Sequence, residues 1–91
     1  MTYRGAQNLI KRGDEPALRA ALEQGLDPNS VNQNGWTLLM LAAVEGNAAL
    51  GQLLLEFNAD PTLTNNKQQT AASIAGDNHA AFEKPPAPPA E

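Results

Sequence analysis

Residues 34–61 read NGWTLLMLAAVEGNAALGQLLLEFNADP, and this stretch decides the fold. Thr37 stands where a helix N-cap belongs, and Leu38, Leu39, Leu41, Ala42 and Ala43 follow at helical spacing until Gly46 stops the run. Asn47 caps a second run, Leu50, Leu53, Leu54 and Phe57, which Asn58 closes. That second run is apolar around much of its circumference, the pattern of a helix held between neighbours. Two short helices joined by a tight turn are predicted here.

Working outward, the same punctuation recurs. Asp14 is a candidate N-cap with Pro16 in the first turn, ahead of Leu18, Ala21 and Leu22. Thr70 caps a weaker Ala-rich segment through Ala75. The spacing predicts helices over 4–11, 15–24, 38–45, 48–57 and 71–77, with a further short one near 80–84. Tight connections fall at Gly13, Gly46 and about Asn78. Long polar ones run over 26–36 and 59–69 and hold Asp27-Pro28 and Asp60-Pro61, where no helix continues. Alternating short and long connections imply a period. An offset of 33 superposes Gly13 on Gly46, Leu22 on Leu55, Asp27-Pro28 on Asp60-Pro61, Asn32 on Asn65 and Thr37 on Thr70. Caps, stops and turns coincide, so the repeat is structural. From Lys84 the chain reads Lys-Pro-Pro-Ala-Pro-Pro-Ala-Glu, an extended tail without amide donors at its four prolines.

Composition narrows the class. The chain has 91 residues, one small domain's worth, with 42% hydrophobic but only 4% aromatic residues. Ala and Leu must therefore do the packing, which suits close helices rather than a β-sandwich. A net charge of −4 opposes binding to nucleic acid or to an anionic membrane surface. No cysteine is present, so disulfides, thiolate nucleophiles and Cys-based zinc sites are excluded. No stretch approaches the ~20 apolar residues of a membrane span, and Met1 to Gly13 has no apolar signal core. The expectation is a soluble, cytoplasmic, all-α domain.

With those residues in place, 34–61 resembles an ankyrin repeat, whose pattern is a Gly turn, Thr-Pro-Leu-His-x-Ala-Ala-x-x-Gly, a Leu-rich helix and Gly-Ala-Asp. Residues 4–31 resemble a divergent first copy, and 65–84 a truncated last one that retains Thr70, Ile74 and Ala75. The resemblance implies a stack of three antiparallel helix pairs with projecting hairpin loops. Residues 1–84 would form the repeat domain, in units of about 1–33, 34–66 and 67–84, with 85–91 as a disordered Pro-rich tail. Departures stand out: Leu38 and Met40 replace the family's Pro and His, Ala71 to Ser73 replace Pro-Leu-His, and Gln68 replaces Gly. Without the bracing histidines the loops are expected to be looser. Polar Arg4, Gln7, Lys11 and Arg12 would cover the first outer face, and Ala80, Ala81 and Phe82 would form an abbreviated cap.

A catalytic role fails on inventory. His79 is the only histidine, Asp77 lies near it in sequence, and nothing else converges on it as nucleophile or orienting partner. Asp27 and Asp60 precede prolines as turn residues do. No phosphate loop and no metal spacing occur, so no enzyme, cofactor or metal is expected. What remains is a module that binds another protein through its hairpin loops and concave helix face. Its candidate contacts are Gln33, Asn34, Trp36, Val44, Glu45, Asn66, Lys67, Gln69, Asp77 and Asn78. Trp36 is either the anchor of that surface or a side chain packed along its hairpin. The amide-rich loops either bond a partner or simply supply turn residues. Val44, Glu45, Asp77 and Asn78 occupy slots that the resemblance places on the concave groove. The alternative is a structural or self-associating unit that completes an assembly; a monomer is favoured over a homo-oligomer. Pro85-Pro86-Ala87-Pro88 forms a PxxP pattern, but Lys84 adjoins it directly and no basic residue is spaced to orient a groove ligand, so a solvated tail is expected.

Overall fold

The computed structural model describes residues 2–82, the side chains of Asn78 and Ala80 excepted. Five α-helices and one 3-10 helix succeed one another: α1 (Tyr3–Arg12), α2 (Glu15–Glu23), α3 (Leu38–Val44), α4 (Ala48–Glu56), α5 (Ala71–Ala75) and the 3-10 helix Gly76–Phe82. The predicted caps do what their chemistry suggests. Asp14, Thr37, Asn47 and Thr70 each accept a backbone N–H three residues on, from Ala17, Met40, Leu50 and Ser73. Thr2, which the sequence reading did not single out, caps α1 in the same way by accepting from Gly5.

The helices form two layers. In one, α3 packs between α1 and α5; in the other, α4 packs between α2 and the 3-10 helix. Leucines fill the space between layers: Leu18 and Leu22 from α2, Leu38 and Leu39 from α3, and Leu50, Leu53, Leu54 and Leu55 from α4 are all buried. Each such side chain contributes roughly 1.5–3 kcal/mol on leaving water. Small residues set the spacing, with Ala6 and Ala42 fully buried where helices approach closely.

The last unit departs from expectation. The helix predicted over 71–77 ends at Ala75, and the turn expected near Asn78 falls at Gly76, where φ is +63°. That conformation suits a residue without Cβ. The segment expected as a short helix near 80–84 belongs to a continuous 3-10 helix that begins at Gly76, and residues 83–84 lie outside the described residues. The tail 85–91 lies outside them too. Phe82 ends the 3-10 helix fully buried. Its ring sits on Gly51 of α4, where a Cβ would collide with Cε1 and lie 2.7 Å from Cδ1. Gln52 secures the same junction by donating to the Ala81 carbonyl at 2.7 Å.

Candidate protein-binding surface

The two long loops repeat one geometry. In the first, Val31 and Thr37 form an antiparallel bridge, and the Asn32 side chain accepts from the N–H groups of Asn34 (2.9 Å) and Trp36 (3.0 Å). In the second, the Asn65 side chain accepts from Lys67 (2.8 Å) and Gln69 (3.1 Å) and donates to Gln69 Oε1 (3.0 Å). The backbone bonds match as well, Asn32 N–H to the Trp36 carbonyl and Asn65 N–H to the Gln69 carbonyl, both at 3.1 Å.

Two bridges join the loops side by side. Asn66 N–H donates to the Asn34 carbonyl at 3.0 Å. Asn29 accepts from Asp60 N–H at 2.7 Å and donates to the Asn58 carbonyl at 3.4 Å. The loops thus have braces of their own where the family's histidines are missing. Thr62 donates twice to Asp60, from N–H and hydroxyl, and these bonds hold the Asp60 carboxyl below its usual pKa.

Between the tips lies a cavity of about 250 Å³ lined by Asn34, Trp36, Asn65, Asn66 and Lys67. Four of the ten residues expected from sequence therefore meet at one place. Trp36 is half-buried and packed against the core, with part of its indole left on the cavity wall, so neither of its two readings is removed. Its repeat equivalent, Tyr3, is also half-buried; the hydroxyl has no hydrogen-bond partner among the described residues, and burial raises its pKa.

The other expected residues disperse. Gln33 is exposed at its loop tip, whereas Gln69 is half-buried and its side-chain carbonyl is taken by Asn65. Val44, 57% exposed, and Glu45 lie at the opposite end of α3, about 10 Å along its axis from the cavity. Asp77 is exposed in the first turn of the 3-10 helix, and the Asn78 side chain lies outside the described residues. Asn65 is the contributor the sequence reading missed; its pairing with Asn32 at the 33-residue offset was the signal that could have found it.

Among the described residues no group of His, Asp and Glu is placed to hold a metal, and His79 is exposed on the 3-10 helix. Nor is any helix among them long and apolar enough to cross a membrane. The cavity wall thus combines one indole, several amides and one ammonium.

Stacked helix pairs with paired hairpin loops define a helical repeat protein. The sequence matches the pattern described as ankyrin repeats (3 copies) over residues 7–83, and the chain belongs to the ankyrin repeat family. The family's repeats are protein–protein interaction modules and are generally non-enzymatic. Among curated relatives, the ankyrin repeat and LEM domain-containing protein 1 homolog of Caenorhabditis elegans is 41% identical over 66 residues, 72% of this chain and 9% of that protein. The NAD-capped RNA hydrolase NUDT12 of Homo sapiens is 45% identical over 47 residues, 52% of this chain and 10% of the hydrolase. The chain thus spans about a tenth of the length of these relatives. Among solved structures, the complex of the predatory endopeptidase Bd0816 from Bdellovibrio bacteriovorus with immunity protein Bd3460 contains a similar chain. Its TM-score is 0.75 at 26% identity, covering 90% of this chain and 42% of that one.

Proposed function

We propose that this chain is a non-enzymatic, cytoplasmic binding module, with residues 1–84 as its repeat domain, that receives a segment of another protein. The hairpin tips and the concave helix face form its contact surface, and Trp36 is its anchor. The observation that carries this reading is the cavity between the two loops, where the sole tryptophan stands beside Asn34, Asn66 and Lys67. Tryptophan is the residue type most enriched at interface hot spots, and a partly desolvated wall beside polar groups is the setting in which it acts. The solved relative found in a complex with a protein supports the class of partner.

The test is direct. A partner captured from the native cell is titrated against folded wild type and Trp36→Ala. Affinity should fall by about 30-fold or more, the equivalent of ~2 kcal/mol. Because Trp36 also packs against the core, the variant should lose about 1–2 kcal/mol of stability, so affinity is compared per folded molecule. Unchanged affinity would make Trp36 a brace only. Light scattering decides the alternative, a self-associating unit: a monomer at micromolar concentration removes it.

A further inference from the structure

The C-terminal ends of α1, α3 and α5 carry a polarity that the hairpin cavity does not use. The 33-residue offset that superposes Thr37 on Thr70 places Lys11 and Arg12 in the slots of Val44 and Glu45. All four are exposed at the C-terminal ends of α1 and α3. Asp77, also exposed, follows the end of α5 by two residues. Since α3 packs between α1 and α5, these ends form a row: two cations, then an aliphatic side chain with an acid, then a second acid. Neighbouring helix axes lie about 8–10 Å apart, so the row spans about 16–20 Å, the reach of five or six extended residues at about 3.3 Å each.

Local stability accounts for one end of the row and not the other. A helix C-terminus carries partial negative charge, so Lys11 and Arg12 complement it, whereas Glu45 at the cap of α3 opposes it. Arg12 meets Asp14 at 3.3 Å, yet its side chain stays 66% exposed; among the described residues Glu45 and Lys11 have no ion-pair partner. An unfavourable acid beside an exposed valine fits recognition better than folding.

Building on the binding-module reading, we propose that this row of helix ends takes a bipolar segment of the partner protein. An acidic side chain sits over Lys11 and Arg12, an aliphatic one on Val44, and a basic one over Glu45 and Asp77. The segment lies extended across the three helix ends. A uniformly charged segment would meet like charge at one end of the row.

The probes are three synthetic peptides of about eight residues: one acidic at one end, leucine in the middle and lysine at the other end; one all acidic; one all basic. Each is titrated into the full chain at low salt and followed by amide NMR. The bipolar peptide should shift the amides of Arg12, Val44 and Glu45 and bind about tenfold more tightly than either uniform peptide. Glu45→Lys/Asp77→Lys, which changes exposed residues only, should reverse the order in favour of the acidic peptide; Lys11→Glu/Arg12→Glu should favour the basic one. Equal affinities, an unreversed order in either variant, or the same amides shifting with protein concentration alone as a second copy covers the row would each overturn the proposal. So would the absence of any shift at millimolar peptide. A loss of partner affinity in Trp36→Ala would still leave the binding-module reading intact.

Discussion

The central and terminal repeats begin alike and end differently. Each opens with an Asx-braced loop and a Thr-capped helix, built on Asn32 and Thr37 in one and on Asn65 and Thr70 in the other. The central repeat then adds the leucine-rich α4, packed on both sides, while the terminal one adds a 3-10 helix ending in Phe82. A middle unit must present apolar surface to two neighbours, so its second helix needs leucines around most of its circumference. In the last described unit, one aromatic ring seated on a glycine covers α4 in place of a second α-helix. Loop and first helix thus define the repeat, and the second helix varies with position in the stack.

That contrast is broken most directly at one fully buried side chain from each repeat. Leu54→Ala should cost about 2–5 kcal/mol and Phe82→Ala about 3–5 kcal/mol, since both side chains are fully buried. Thermal or urea unfolding measures both. A small domain has about 5–10 kcal/mol in total, so either change should leave the chain close to unfolded. If Phe82→Ala melted like wild type, α4 would need no cover and the ring would be an ornament of the terminus.

The central repeat was the legible one. Its caps, its stop at Gly46 and most of its leucines follow local rules. Met40 and Leu55, outside the predicted stripes, are nonetheless buried, and Leu41 and Phe57, inside them, are only half-buried. The end of the last unit was not legible for two reasons. Gly76 arrives three residues before the position that matches Gly46, which His79 occupies, so periodicity overextended α5. Gly51, a single glycine inside a leucine pattern, gives no sign in sequence that a ring from residue 82 will occupy the space of its missing Cβ. The surface was half legible. The loop residues around Trp36 came together, but the half-burial of Trp36 comes from its packing against the core, which its place before the Thr37 cap does not reveal.

A smaller change sharpens the same junction by the sign of its effect. Gly51→Ala drives a methyl into the Phe82 ring, and such overpacking costs about 1–3 kcal/mol. Against this, alanine in a helix interior is favoured over glycine by roughly 0.5–1 kcal/mol. The single variant should therefore be less stable than wild type by about 1 kcal/mol. In a Phe82→Ala background the collision is gone, and the same change should stabilise. A double-mutant cycle from urea melts reads this directly. Additive effects would separate Gly51 from Phe82 and return the glycine to an unexplained position.

The smallest expected effect compares the loop tips. Gly35 has φ +79°, and a Cβ there would lie 3.1 Å from Asn65 Cα and 3.3 Å from Asn66 N–H nitrogen, because the second loop packs across the first. Both the backbone conformation and the close approach require glycine. Its repeat equivalent Gln68 adopts φ +61° without being glycine. Gln68 is exposed, so the second loop keeps the conformational demand on a residue whose side chain faces solvent. A left-handed residue with a Cβ costs about 1–2 kcal/mol, while glycine adds about 0.5–1 kcal/mol of unfolded-state entropy. Gln68→Gly should therefore stabilise by about 0.5 kcal/mol. Gly35→Ala should destabilise by more than the left-handed cost alone, because the Asn65–Asn66 backbone must also move. Paired urea melts of the two variants give the comparison. If Gln68→Gly were neutral or destabilising, the glutamine would be supplying a contact that outweighs its strained backbone. The second loop would then be held by its side chain rather than tolerating it.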